Sequence, residues 1–477
     1  MNQMVRYALI AGEKCRQTPV ARPQNPAFLA LQNQRRRLCF APVDVFVLHR
    51  KTVQCRHARQ TFVPVRALQT HASMIHETEN SIAVPHLGGV SLSLERVNEE
   101  EHETPSPQTV TAPKAAPLWM PQRAIFTPAA LEWEHGQAIF DRCEKLGIPT
   151  EKLKANRLTG LTQEDVRKTY AAAKRTLAVV VSPPSYLKLS PIPPSADWQF
   201  HVAEGCPAHC QYCYLAGSLS GPPIVRAFAN LPQILENLVQ YEDIKPNVAK
   251  PRGNSPTAER GREDSTSFEV SCYTDPLGIE HLTGSLAESI RYFGTRDKGF
   301  LRCVSKFDAV DELLTLPHNG QTRFRSSMNA EPVSRRLEGG TANVPARLQA
   351  LRKLALPPER GGGGYPIGIV VAPIMPMDDW QAHYTKLLDE AAAALDFECD
   401  LIFELITHRF TPGSKDVLLQ WYPNTSLDLD ESKRDVKRNK FGGTKYVYPR
   451  ELMKELKAWF YQEIETRFPD GKILYWT

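Results

Sequence analysis

Three cysteines, Cys206, Cys210 and Cys213, stand four and three residues apart in the segment EGCPAHCQYCY at 204–214. Thiols this close on a loop can all turn toward one point. Ten cysteines in 477 residues are too sparse for a disulfide scaffold, so the clustering points to metal or redox chemistry in a reducing compartment, here the cytoplasm. Structural zinc normally takes four protein ligands, commonly two Cys-x-x-Cys or Cys/His pairs. No second Cys-x-x-Cys pair exists, and His209 directly precedes Cys210, which makes joint chelation awkward. Three thiolates suit instead a four-iron, four-sulfur cluster that keeps one iron open to a small molecule.

Such a loop has to be held by something rigid. Short apolar runs of strand length occur at 268–272, 300–304, 368–372 and 401–406. Between them lie helical patterns: Leu231, Ile234, Leu235, Leu238 and Val239 behind an Asn230 cap with Gln233 placed for a capping box, and Trp380, Tyr384, Leu387, Leu388, Ala391 and Leu395. Strands that are apolar on both faces and alternate with helices predict a parallel sheet covered by helices, with functional groups just past the carboxyl ends of the strands. Two inserts interrupt the pattern: residues 245–266, polar and rich in Pro and Gly, and a flexible loop at 361–364.

Cys-x3-Cys-x2-Cys with an aromatic residue before the third cysteine resembles the signature of the radical S-adenosylmethionine enzymes. The match narrows with CQYCYL at 210–215, FEVSCYTDPLGIEHLT at 268–283, VSKF at 304–307, residues 322–331, FELITHRF at 403–410, GGTKYVY at 442–448 and the closing ILYWT. In that order these segments resemble spore photoproduct lyase, over residues 119–477. The resemblance implies an α/β fold: a partial (β/α)6-type radical S-adenosylmethionine barrel at 196–410, a small amino-terminal α/β part at 119–195 and a carboxyl-terminal DNA-binding portion at 411–477. It implies a DNA repair lyase that reverts spore photoproduct to two thymines through a 5′-deoxyadenosyl radical. Its cofactors would be a [4Fe-4S] cluster, ligated by Cys206, Cys210 and Cys213, and S-adenosylmethionine. Its partners would be DNA containing thymine lesions and an electron donor of the flavodoxin or ferredoxin type. Two rivals stay open: a related enzyme acting on another nucleic acid, and a DNA-binding protein with a structural cluster.

Carried over residue by residue, the resemblance makes Cys272 the hydrogen donor, and Tyr212 and Tyr214 the relay that returns the radical toward the cofactor. A thiol fits the first role because its S–H bond is weak; a lone buried Cys is otherwise a small hydrophobe. Lys306 resembles a lysine that contacts the cofactor, and Thr274, Ser327 and Asn329 sit at similar strand ends. Arg409, beside His408, is placed to hold a lesion phosphate or base edge through its planar fork. Lys433, Arg434, Lys437, Arg438, Lys440 and Lys445, interleaved with Phe441, Tyr446 and Tyr448, could neutralise duplex phosphates; a solvated basic face is the competing account. Because the chemistry cannot reach a base inside a duplex, the lesion must be flipped out. Departures from the family pattern are Tyr273 after the donor cysteine, the looser run at 216–223 and the insert at 245–266.

With 42% hydrophobic residues the chain can build a large core, and no apolar run approaches the ~20 residues of a spanning helix, which excludes a membrane protein of that kind. The formal charge of +5 belongs to the head. Residues 1–70 hold 12 Lys/Arg and two acids, and residues 71–118 hold two Lys/Arg and seven Glu, which leaves 44 of each sign in 119–477. Residues 1–118 read as an unfolded leader, a targeting segment, a basic arm, or a start placed upstream of the true one near Met74 or Met120. DNA affinity must then come from local clustering of cations in a balanced enzyme.

Overall fold

The computed structural model describes residues 116–219, 221–247, 265–438 and 443–477. The leader through residue 115, most of the insert at 245–266, and Lys440 and Phe441 lie outside the described residues. In chain order the strands are β1 (Arg123–Phe126), β2 (Thr150–Lys152), β3 (Thr176–Val180), β4 (Ser190–Ile192), β5 (Ala196–Phe200), β6 (Ala203–Glu204), β7 (His209–Cys210), β8 (Val225–Phe228) and β9 (Thr266–Val270). There follow β10 (Gly299–Ser305), β11 (Thr322–Met328), β12 (Glu338–Gly339), β13 (Ile367–Ile374), β14 (Leu401–Thr407), β15 (Asp435–Arg438), β16 (Thr444–Val447) and β17 (Lys472–Trp476).

The main sheet runs β17-β14-β13-β11-β10-β9-β5-β4. All its neighbours pair in parallel except the edge pair β4–β5. Six of its parallel strands, β5, β9, β10, β11, β13 and β14, are the expected partial barrel, and β17 adds a seventh from the carboxyl-terminal region. A smaller sheet, β2-β1-β3-β8-β6, forms the amino-terminal part. It is not confined to 119–195, because β6 and β8 come from beyond that boundary while β4 joins the barrel. Helices cover one face of the main sheet: Val344–Ala355 lies on β11, and Trp380–Ala394 packs between it and Arg450–Arg467. Tyr384 and Phe460 meet there with ring centroids 5.0 Å apart.

The helix-facing side chains, among them Leu301, Cys303, Phe324, Ile369, Phe403 and Leu405, form the apolar core expected. The other face differs from the expectation of strands apolar on both sides. Glu269, Arg302, Arg325 and Glu404 point inward and are almost completely buried. Arg325 Nη1 donates to both Glu404 oxygens at 2.9 and 2.8 Å, its Nη2 reaches Glu269, and Arg302 Nη2 reaches Glu404. Tyr475 on β17 donates to Glu404 Oε2 at 2.7 Å, and Ser195 to Glu269 Oε2 at 2.8 Å. Neighbouring strands lie about 4.8 Å apart, so β10 and β14, three steps from each other, can share a contact only because the sheet is curled. Gly368 on β13 makes room for the crossing, since a Cβ there would stand 2.8 Å from Arg325 Cγ.

Local expectations met three further differences. The run 268–272 stops as a strand at Val270, because Ser271 turns the chain at φ 53°. Its N–H donates to Phe200 O at 2.7 Å and its hydroxyl accepts from Val202 N at 3.0 Å. Asn230 does not close a capping box; its amide is used by Ser182 and Gln233 instead, and it ties the helix Leu231–Glu236 to the end of β3. The glycines at 361–364 are not a loose loop but a hydrogen-bonded turn, with Gly362, Gly363 and Gly364 donating to Pro357, Lys353 and Leu356 carbonyls.

Removing the cation shared by Glu269 and Glu404 strands buried carboxylates, which costs about 3–5 kcal/mol. Arg325→Leu should therefore shift urea unfolding by an amount of that order, whereas the exposed Arg335→Leu should leave the midpoint unchanged.

Candidate active site

The cluster loop leaves the end of β5. Gly205, at φ 76°, precedes the first cysteine, and a Cβ there would stand 2.0 Å from Ile224 O, so the chain can enter the loop only through glycine. β7 then pairs antiparallel with β12, matching Cys210 to Glu338 and His209 to Gly339. Lys174 Nζ caps the carbonyls of Cys206 and Ala208, and Tyr170 Oη lies 3.2 Å from His209 Nδ1 and against Tyr422. The loop is thus clamped between the small sheet's helix Val166–Ala173 and the carboxyl-terminal helix Pro412–Trp421.

The three cysteines are half-buried and unpaired, and their thiols interact electrostatically with one another. Burial pushes Cys206 and Cys210 up to about 12 and Cys213 to about 11, so cationic iron would be needed to hold them as thiolates. Among the described residues no three His, Cys, Asp or Glu side chains converge on a single ion.

Cys272 follows β9, the parallel neighbour of β5, whose registered ends Phe200 and Val270 lead into the triple-cysteine loop and the Cys272 segment respectively. Cys272 is half-buried. Burial first, and then the Glu269 carboxylate, push its thiol well above the usual range, with Arg325 opposing. It therefore stays an S–H group. Tyr273 turns away from the pattern expected of the family and stacks flat on His201, with centroids 4.6 Å apart.

Around the next strand end, Lys306 Nζ donates to Glu338 Oε1 at 2.9 Å and to Ala372 O at 3.3 Å. Tyr212 Oη donates to the same Glu338 oxygen, and Arg347 Nη2 to Oε2 at 2.6 Å. Burial pushes the Glu338 carboxyl up, but Lys306 and Arg347 outweigh it and hold it at about 2. Asp275 receives Ser305 Oγ at 2.8 Å and Lys306 N at 2.7 Å, which fixes the lysine's backbone. Lys306 and Arg347 thus share the Glu338 carboxylate, and Lys306 also lies within electrostatic reach of Asp275. Thr274 Oγ1 is buried with no hydrogen-bond partner, a free group at the same place. These residues fit the carboxylate and hydroxyls of S-adenosylmethionine. Tyr214 is 60% exposed at the open mouth.

Other expected site residues are differently employed. Ser327 is buried in β11 with its carbonyl held by Arg347. Asn329 is fully buried, donating to Pro373 O at 2.8 Å and accepting from Tyr384 Oη at 2.9 Å, so its amide braces the sheet. Arg434 is also buried: it lies 3.9 Å over the Tyr448 ring and donates to the carbonyls of His408 and Asp428. His408 is buried, and that burial, with Arg434 adding to it, lowers its pKa to about 3, so it is neutral and offers a phosphate no charge. Lys433, Lys437, Arg438 and Arg409 are exposed. On the hairpin β15–β16, Lys437 stands directly opposite Lys445, and Arg409 lies within electrostatic reach of Lys445. A cavity of about 170 Å³ beside the hairpin is lined by Met375, Met377, His408, Leu427, Arg434 and Tyr448. Sequence reading missed Glu338, Asp275 and Arg347, since lone acids and arginines in helical or turn segments carry no spacing signal.

A triple-cysteine loop after strand β5, with Lys306 nearby and a thiol past the end of the neighbouring strand β9, is the arrangement expected of a radical S-adenosylmethionine enzyme. A family model, Spore photoproduct lyase, matches residues 119–477. The chain is 40% identical over 362 residues to the spore photoproduct lyase of Geobacillus sp. (strain Y412MC61), an alignment covering 75% of this chain and 99% of that one. It is 38% identical over 362 residues to the enzyme of Bacillus subtilis (strain 168), again 75% of this chain and 99% of that one. A solved spore photoproduct lyase variant with bound AdoMet and dinucleoside spore photoproduct superposes with a TM-score of 0.68 at 37% identity, covering 76% of this chain and 100% of that chain. The chain belongs to the spore photoproduct lyase family.

His408 and His201, held at about 3 and about 4 by burial first, bind protons only in the unfolded chain between those values and 6.5. Stability should therefore fall as pH drops below 6.5, by up to ~1.4 kcal/mol per pH unit for each buried histidine. His408→Gln should flatten urea-unfolding stability against pH in that window.

Proposed function

We propose that this chain reverts spore photoproduct in DNA to two thymines by radical chemistry. The observation that carries the reading is the juxtaposition of the cluster loop and Cys272 on the ends of two hydrogen-bonded parallel strands, β5 and β9. When bound, the cluster and S-adenosylmethionine supply the radical that takes a hydrogen from the lesion. Cys206, Cys210 and Cys213 hold the cluster, and Lys306 and Thr274 orient the cofactor. Cys272 keeps its hydrogen because its surroundings hold it as a thiol, and it gives that hydrogen to the thymine radical left after the bridge breaks. The thiyl left on Cys272 takes a hydrogen from Tyr214, which takes one from Tyr212, so the radical is returned toward the cofactor.

For DNA, Lys437 and Lys445 are like charges directly opposite on a hairpin, an arrangement that costs stability unless an anion sits between them. With Arg409 nearby they suit one backbone phosphate, and Lys433 and Arg438 suit its neighbours. The cavity beside the hairpin exceeds the ~150 Å³ that accepts a benzene ring, which supports entry of a flipped base. Buried Arg434 and His408 brace the hairpin base instead of touching phosphate. No helix among the described residues is long and apolar enough to cross a membrane. We assign the enzyme to the reducing cytoplasm, served by a flavodoxin- or ferredoxin-type electron donor.

Anaerobically reconstituted protein, given a reductant, S-adenosylmethionine and the dinucleotide lesion, should release thymine, and Cys272→Ala should lose that product or divert it. Cofactor cleavage with the lesion untouched would remove the substrate assignment, and no cofactor cleavage would favour a structural cluster. For binding to duplex DNA, Lys437→Ala should reduce the slope of log affinity against log salt by about 0.9. Fluorescence anisotropy over a salt series measures it.

A further inference from the structure

Glu338 has no role in the function just described, yet three parts of the site meet on it. Its side chain is fully buried, and its main chain pairs with Cys210 of the cluster loop. One carboxylate oxygen, Oε1, accepts from both Lys306 Nζ at 2.9 Å and Tyr212 Oη. The other, Oε2, accepts from Arg347 Nη2 at 2.6 Å. Arg347 is itself fully buried and spends its remaining donors on the Ala342 and Ser327 carbonyls and on Thr341, so it is a fixed counter-ion. A carboxylate buried to this degree needs a fixed cation and filled lone pairs, and Arg347 meets the first requirement without Lys306. Lys306 keeps 15% of its side chain exposed and lies 5.7 Å above the Tyr212 ring. Its ammonium is held by Glu338 Oε1 and, at 3.3 Å, by Ala372 O, so removing the carboxylate takes away its charged partner.

We propose that Glu338 is a positioning residue for the repair reaction: one oxygen of its carboxylate holds the relay tyrosine Tyr212 and the cofactor lysine Lys306 at a set separation beside the cluster loop. The inference rests on the reading of Tyr212 as a relay. It differs from that reading in requiring that the tyrosine and the lysine act as a coupled pair.

The test uses the full chain as wild type, Glu338→Gln, Tyr212→Phe and the double variant, each loaded with cluster. Three quantities are read: iron and sulfide per chain, equilibrium affinity for S-adenosylmethionine by dialysis without reductant, and 5′-deoxyadenosine formed per lesion repaired. Glu338→Gln should retain iron and sulfide, bind the cofactor about tenfold more weakly, and consume several-fold more cofactor per repair. Tyr212→Phe should raise the consumption ratio as well, and the double variant should be no worse in that ratio than the worse single one. Wild-type affinity and ratio in Glu338→Gln, or full additivity in the double variant, overturns the inference. If Tyr212→Phe alone leaves the ratio unchanged, the relay reading falls and this inference with it. If Tyr212→Phe raises the ratio and Glu338→Gln does not, only the positioning role falls. Should Glu338→Gln lose its iron, Lys306→Gln combined with Tyr212→Phe replaces it: non-additive cofactor affinity supports the coupled pair, and additive affinity overturns it.

Discussion

The curvature of the main sheet depends on charges buried in its hollow. Glu404 accepts from arginines on β10 and β11 and from Tyr475 on β17, while Arg325 spans from Glu404 back to Glu269 on β9. These strands can be joined through one carboxylate only if the sheet folds toward itself. Hydrophobic residues alone would fill such a hollow and would not select a particular curl. Paired charges are costly when separated, so they penalise flattening. The strand ends, which carry the cluster loop, Cys272 and Lys306, converge because the strands beneath them are drawn together. Glu269 also serves the site, since its carboxylate helps keep Cys272 protonated.

A second, smaller ionic group repeats the device at the mouth. Glu338 joins a lysine, an arginine and a tyrosine, and its strand pairs with the cluster loop. The two groups differ in balance. In the hollow, two arginines meet two glutamates and the charge is closed. Around Glu338, two cations meet one glutamate, and of the three only Lys306 keeps part of its side chain exposed. The first arrangement suits a structural interior, and the second leaves Lys306 partly open to the surroundings.

Much of this was legible in the sequence, and the reasons are specific. The cysteine spacing is local, so Cys206, Cys210 and Cys213 could be placed together without knowledge of the fold. The apolar runs ending near Val270, Val304 and Ile406 gave the strands, since burial on the helix side leaves a continuous signal. What escaped notice depends on contacts between distant segments. Glu338 lies far in sequence from Tyr212, and nothing in its neighbourhood marks it. The inward-facing Glu269, Arg302 and Glu404 sat within runs read as apolar, because one charge per strand does not break the pattern. Arg434 illustrates the opposite error: a cation in a basic stretch suggests phosphate, but the ring of Tyr448 and the carbonyls around it had already claimed its fork. Family resemblance supplied roles for Cys272 and Lys306 that no spacing rule would have given.

In the main sheet, strands that neighbour in space also follow one another in the chain, leaving aside short strands that pair elsewhere. Most steps therefore close over a single strand-helix unit, and the entropy of closure grows only slowly with length. Two steps are longer: from Phe200 to Thr266, and from Thr407 to Lys472. The first holds the cysteine loop and the second the basic hairpin. The excursions that carry the cysteine loop and the basic hairpin are thus also the widest loops to be closed during folding. On a chain emerging from the ribosome, β9 to β14 can pair in turn as they appear, but β17 joins the edge only after the hairpin has been made. Assembly of the interior charge group, which includes Tyr475, is correspondingly a late event, and the barrel is finished from its last strand.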